Sequence, residues 1–245
     1  MDITNGVDVS NTITEGITFG DFDSKALNMW LISRSAPTPS KNEIVESVAF
    51  KNGVYDFSRI LGEDSYQNRP ISYTFHIYER DKEYRKHGQT VLENRLMKHG
   101  VIKLEDTYDA NYHYLGKCIG VSTDDDHVYG RLIVTIEFDC YPFKIANEPE
   151  GNDIWDIFNF DLDIAQDIEY EVNGSRTITL YNVGVPSVVP EITANGEVTV
   201  SNGQRQAKIN NSTFKNIGFR LMPGENQLTL SGQGTVSFRF YKELI

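Results

Sequence analysis

The clearest pattern along the chain is a strict two-residue alternation. Ile71, Tyr73, Phe75 and Ile77 interleave with Ser72, Thr74, His76 and Tyr78, the signature of a strand with one buried face. A second such segment, Tyr129 to Cys140, places Leu132, Val134, Ile136 and Phe138 on one side. Upstream, Val48 to Phe50 and Val54 to Phe57 read as two short strands around Lys51-Asn52-Gly53, because Asn-Gly reaches positive φ at little cost. Earlier still, Ile17-Thr18-Phe19 and Leu27 to Arg34 read as strands, and Ser35 to Ser40 as a stiff Pro-containing loop.

Helical periodicity is confined to one stretch, between Asp81 and Gly100. Tyr84, Val91, Leu92 and Leu96 fall at three- and four-residue steps. Asp81 is a cap candidate, with Thr90 the alternative if Gly88 splits the helix, and Gly100 supplies the stop. Val101 to Leu104 and Tyr112 to Val121 return to strand, and Ser122 to His127, with Asp124-Asp125-Asp126, reads as an exposed acidic turn.

After Tyr141-Pro142-Phe143-Lys144 the composition changes. From Ala146 to Glu171 there are nine acids and no Lys or Arg, whereas the chain from Val172 onward holds four acids and seven bases. Such a break marks a connector. Beyond Asn173-Gly174, seven short strands follow: Arg176 to Tyr181, Val189 to Ile192, Glu197 to Ser201, Gln206 to Ile209, Ile217 to Leu221, Gln227 to Leu230 and Thr235 to Tyr241. Asn195-Gly196, Asn202-Gly203, Pro223-Gly224 and Gly232 with Gly234 are read as the turns between them, which describes a β-sandwich. The expected organisation is a first β domain over 1–145 with one helix at about 81–99, an acidic connector over 146–172, and a second β-sandwich over 173–245.

Bulk properties narrow the function. At 245 residues and 39% hydrophobic content, the chain has material for two packed cores. A net charge of −12 argues against a nucleic-acid-binding surface, which needs clustered Lys and Arg. No apolar run approaches a membrane span, and the N-terminus lacks a basic region followed by an apolar one, so a cytoplasmic origin is expected. Cys118 and Cys140 sit in strands without metal or redox spacing and read as core thiols rather than a disulfide.

The sequence carries no recognisable catalytic pattern. His76, His87, His99, His113 and His127 share no metal-ligand spacing, and no GxSxG, P-loop or GxGxxG occurs. The acid-rich segment offers carboxylates for a glycoside hydrolase, but a solvated connector explains it more simply. Its aromatics, Trp155, Phe158 and Phe160, are expected to pack on the first domain or on a partner. A carbohydrate-binding β-sandwich is the main rival reading. It is weakened because the second domain has no Trp and only Tyr181 and Tyr241 as tyrosines. No catalytic residue, cofactor or metal is therefore assigned.

Several segments together resemble the distal tail (Dit) proteins of long-tailed phages infecting Gram-positive bacteria. These are LNMWLISRS, the hairpin FKNGVYDFSRILG followed by NRPISYTFHI, the helix ending at Leu96 to Gly100, YHYLGKCIGV, VTIEFDCYPFKI and the C-terminal NQLTLSGQGTVSFRFYKE. The resemblance implies a mainly β fold with one helix: an N-terminal β-sandwich-like, ring-forming domain and a C-terminal galectin-like β-sandwich. It further implies a non-enzymatic structural hub, assembled as a homohexameric ring at the tail tip. The implied partners are the tail tube protein, the tail-associated lysin or tail fibre hub, and receptor-binding or baseplate arm proteins, with DNA passing through the ring unbound. Unpaired strand edges suit such contacts. The ring-interface residues expected on this basis are Asn52, Gly53, Tyr55, Phe57 and Arg69, and loops around Asn195, Asn202 and Asn211 are the surfaces to watch in the second domain.

Overall fold

The computed structural model describes residues 12–60, 62–151 and 163–245. The expectations for Asp153, Asp156, Asp161, Trp155, Phe158 and Phe160 lie outside the described residues. A first compact unit is built from described residues within Met1–Ile60 and Asp64–Lys144, a second from those within Leu61–Glu63 and Ile145–Leu244.

In the first unit the strands are β1 (Ile17–Phe19), β2 (Phe22–Asp23), β3 (Trp30–Ser35), β4 (Val45–Glu46), β5 (Tyr55–Asp56), β6 (Arg69–Tyr78), β7 (Ile102–Asp106), β8 (Tyr112–Asp126) and β9 (Arg131–Cys140). Helix α1 (Lys82–Met97) lies between β6 and β7. The main sheet is ordered β2-β1-β7-β8-β9-β6-β3. At its centre, β6 pairs with β9 without interruption from Arg69↔Cys140 to Tyr78↔Arg131. The alternation read from sequence is realised there: Ile71, Tyr73, Phe75 and Ile77 face Leu132, Val134, Ile136 and Phe138 in one buried cluster.

The main sheet is curled. Arg34 in β3 bonds the Asp106 carboxylate at the end of β7 at 2.7 Å, although four strand steps separate β3 from β7. In a flat sheet that separation is about 19 Å, well beyond the reach of an arginine.

Helix α1 starts at Asp81, whose carboxylate accepts the Glu83 amide at 2.8 Å, satisfying one orphan donor of the first turn. Gly88 does not split it. The buried stripe is Arg85, Gly88, Leu92 and Leu96, with Val91 partly buried against the core, while Tyr84 stays exposed. The expected face was thus displaced by one residue at its N-terminal end. Arg85 takes the place of Tyr84 because its guanidinium donates to the Glu79 and Arg80 carbonyls and pairs with Asp125, which offsets the cost of burying a charge.

The Asp124 to Asp126 segment is not a turn. It is the end of β8, paired in register with Arg131 to Ile133 of β9, and the turn falls at residues 127–130. Leu27 and Met29 are buried ahead of β3, but the chain there turns, with Asp23 accepting the Lys25 and Ala26 amides. Cys118 and Cys140 are both free thiols in the core.

The second unit contains β10 (Lys144–Ala146), β11 (Glu169–Asn182), β12 (Glu191–Ser201), β13 (Gln206–Phe214), β14 (Gly224–Arg239) and β15 (Glu243–Leu244). β10 pairs with β15, and the four long strands form one sheet ordered β11-β14-β12-β13. Long strands replace the short ones expected from sequence. Asn195-Gly196 lies inside β12 and Gly232 and Gly234 inside β14, where they mark bends rather than turns.

The bends line up across the sheet. Gly174 pairs with Gly232 and Gly196 with Gly234, all four at positive φ. On the outer strand Asn211 also has positive φ, 44°, and its side-chain oxygen accepts the Gly196 amide at 2.9 Å. Backbones cross so closely along this crease that a Cβ at Gly232 would sit 2.1 Å from the Glu197 carbonyl oxygen. Ile192, Ala194, Val198 and Val200 bury the same side of β12 before and after it. The sheet therefore folds over a single core that includes Leu180, Leu228, Leu230 and Phe238.

Candidate interaction surfaces

Between β3 and β6 the chain forms an arm, held at its base by backbone bonds from Asn42 to Ser65 and from Gln67 to Ser40, each 2.8 Å. Asp64 accepts ion pairs from Lys41 at 2.7 Å and Arg59 at 3.3 Å, and Lys41 holds its carboxyl below the usual carboxylate range. Further out, β4 and β5 pair only with each other, through Val45↔Asp56 and Glu46↔Tyr55. The ladder is continued by the Phe57 amide on the Ile44 carbonyl at 2.8 Å and by the Ile44 amide on the Ser58 hydroxyl at 2.9 Å.

Among the described residues, neither core cluster includes a residue of this hairpin. Ile44, Val45, Val48, Phe50, Val54, Tyr55, Phe57 and Ile60 are all exposed, Phe50 fully so. Eight large apolar side chains on one two-stranded arm form a patch of the kind that marks an interaction site, and a two-stranded hairpin without a core is marginal in water by itself.

The structure distributes the five expected interface residues unevenly. Asn52 and Gly53 lie exposed between β4 and β5, Gly53 at φ 82°. The Tyr55 and Phe57 rings stack at 6.2 Å, with the Lys51 ammonium 3.4 Å from the Tyr55 centroid. Arg69 is a correction. It is only 6% exposed, donates to the Pro37 and Ala36 carbonyls at 2.6 and 3.1 Å, and lies 5.3 Å from the Tyr114 ring centroid. It braces the Pro-containing loop from inside the unit.

Ile44, Val45, Phe50 and Ile60 escaped the sequence reading. The available signal was a cluster of apolar residues flanking strands too short to bury them. The tight hairpin expected over Val48 to Phe57 is also corrected: the paired residues are Val45–Glu46 and Tyr55–Asp56, so Val48 to Phe50 belongs to a long connecting loop.

Elsewhere several charged groups pair within the fold. Arg131 bonds Asp126 at 2.8 Å and keeps its carboxyl below the usual range, as Arg85 does for Asp125. His76 is pushed down by burial and then by the Arg131 charge. Among the described residues no group of three or more His, Cys, Asp or Glu is placed to hold a metal ion, and no helix is long and apolar enough to cross a membrane.

In the second unit, the segments around Asn195 and Asn211 are strand rather than loop. Asn202 is in a turn, its side-chain oxygen accepting the Gln204 and Arg205 amides at 3.1 and 2.8 Å. A shallow cleft beside the crease is lined by Glu197, Thr199, Lys208, Ser231, Gly232 and Gln233, all polar or small, with Glu197 and Lys208 paired at 2.5 Å.

No family model matches this sequence, and no curated protein matches it. Among solved structures, the fold is similar to the crystal structure of the Dit protein of phage SPP1, described as a paradigm of the hub adsorption apparatus in phages infecting Gram-positive bacteria. The TM-score is 0.66 over 94% of this chain and 99% of that one, at 13% identity. The mainly β architecture with one helix among the described residues is therefore a Dit-like fold, as the sequence motifs implied.

Proposed function

We propose that this protein is a non-enzymatic hub of a phage tail tip, located in the virion and assembled in the host cytoplasm as a homohexameric ring. The observation that carries this reading is the likeness to a phage adsorption-hub protein across nearly the full length of both chains. The exposed apolar arm supports it: a closed ring requires a patch on each copy that fits a different patch on the next, and the arm is an unburied apolar element of that kind.

On this reading the arm, through Asn52, Gly53, Tyr55 and Phe57 together with Phe50 and Val54, docks on the neighbouring copy. One side of the ring meets the tail tube protein and the other the tail-associated lysin or fibre hub, with receptor-binding or baseplate arm proteins at the periphery. The net charge of −12 is compatible with a channel that DNA passes without adhering. The carbohydrate-binding alternative lacks a platform: no aromatic side chain among the described residues of the second unit is strongly exposed.

Size-exclusion chromatography with light scattering tests the reading. A mass of six copies is expected at high concentration, with labelled protein found at the tail tip by electron microscopy. A stable dimer, or label elsewhere on the particle, overturns it.

A further inference from the structure

The sequence contains five Asn-Gly pairs, four of them within the described residues, and the fold treats these four very differently. In an Asn-Gly pair the glycine amide nitrogen can attack the asparagine side-chain carbonyl, because no Cβ obstructs the approach. Whether it does depends on how freely the backbone and side chain reach that geometry.

Three of the pairs are held. Asn173-Gly174 is locked in the β11–β14 ladder against Gln233 and Gly232. At Asn195-Gly196 the glycine amide donates to Asn211 Oδ1 at 2.9 Å, and a Cβ on the glycine would lie 2.3 Å from the Gln233 carbonyl oxygen. At Asn202-Gly203 the asparagine Oδ1 accepts two amides, and the glycine amide donates to Ser201 Oγ at 3.2 Å.

Asn52-Gly53 has none of these restraints. Both residues are exposed, neither makes a hydrogen bond with another described residue, and a Cβ at Gly53 would find no atom within 4 Å. The pair sits in the loop of a hairpin that packs on no core.

We propose that Asn52-Gly53 is a site of spontaneous deamidation that the fold leaves open while closing the other three. The Gly53 nitrogen loses its proton and forms a bond to Asn52 Cγ. The Cγ–Nδ2 bond breaks, ammonia leaves, and a cyclic imide remains. Water then opens the imide at either carbonyl, giving aspartate or isoaspartate at position 52. Either product adds a carboxylate next to Lys51, whose ammonium lies over Tyr55, and isoaspartate also lengthens the main chain by one carbon. The chemistry does not depend on what the arm docks against.

The test is peptide mapping of the monomeric chain, isolated by size exclusion and incubated at neutral and at mildly alkaline pH. A mass increase equal to water minus ammonia is expected in the Asn52 peptide, as two chromatographically resolved products, faster at the higher pH and absent in Asn52→Gln. The modified fraction there should exceed that at Asn173, Asn195 and Asn202 by more than about tenfold, because each 1.4 kcal/mol of local opening divides a rate by about ten. In denaturant the four sites should converge. Comparable conversion at any of the other three in the native chain, or no conversion at Asn52 while the denatured chain converts, overturns the proposal.

Discussion

Arg34 and Asp106 meet through two parallel hydrogen bonds, Nε to Oδ2 at 2.7 Å and Nη2 to Oδ1 at 2.8 Å. The guanidinium also covers the Tyr108 ring at 4.6 Å, and Asp106 is nearly buried. This forked pair joins β3 to β7 across the interior of the curled sheet. Replacing Arg34 by Ala leaves Asp106 buried without its counter-charge, and a loss of about 3 kcal/mol in urea unfolding is expected. Arg34→Lys keeps the charge but forfeits the fork, and should recover only part of that loss.

The arm behaves oppositely. Phe50 is fully exposed and Tyr55 is 44% exposed, so Phe50→Asp and Tyr55→Ala should change unfolding free energy by no more than about 0.5 kcal/mol. On the proposed function the same variants lose the six-copy mass in light scattering. Retention of that mass by both would assign the ring contact to another surface.

Glycines on and off the crease should respond differently to alanine. A Cβ at Gly232 collides with backbone at 2.1 Å, whereas one at Gly203 meets nothing within 4 Å although φ is also positive. Gly203→Ala should therefore cost only the left-handed backbone term, about 1 kcal/mol. Gly232→Ala should cost clearly more, and thermal melts of the two variants give the comparison.

Acid should loosen the first unit. Arg85 holds the Asp125 carboxyl below its ordinary value, Arg131 does so for Asp126, and Lys98 followed by His99 does so for Asp21. A depressed folded-state pKa adds stability that is complete above the unfolded value, about 3.9, and is lost as pH falls through the folded one. Melting temperature should thus be flat from neutral pH to about 4 on this account and fall below it. The fall should be shallower in Asp125→Asn, and an unchanged slope would exclude the Arg85 pair as a contributor.

Burial pushes the Cys140 thiol up to about 12 and raises that of Cys118. Because the thiolate is the reactive form, neither should titrate with a disulfide reagent in the native protein at neutral pH. Both should react once the chain is unfolded.

What was legible in the sequence is what local periodicity decides. The alternation in β6 and β9 and the Asp81 cap were readable because strand period and N-cap chemistry depend on residues within a turn or two. The curled sheet and the creased one were not. Asn195-Gly196 and Gly232 to Gly234 have turn composition, but the same freedom at positive φ also serves a bend inside a strand, and only the neighbouring strands decide between the two. Asp124 to Asp126 looked like a turn for a related reason. Their strand is set by pairing with β9, and the charges of Asp125 and Asp126 are absorbed by Arg85 and Arg131.

The candidate surface was half legible. Asn-Gly correctly flagged a reversal at Asn52-Gly53, but it suggested a tight hairpin where an open loop separates β4 from β5. Arg69, expected at the ring interface, is buried, and its carbonyl partners at Ala36 and Pro37 are more than thirty residues away. No local pattern carries that information.

The crease has a mechanical corollary. Since β11, β12 and β14 each run through the fold line, both halves of the second unit are made of the same strands, and neither half can peel away while the other stays intact. Rupture anywhere along it strips the shared interior from both sides at once, so this module would hold rigidly under load and then give way as a whole.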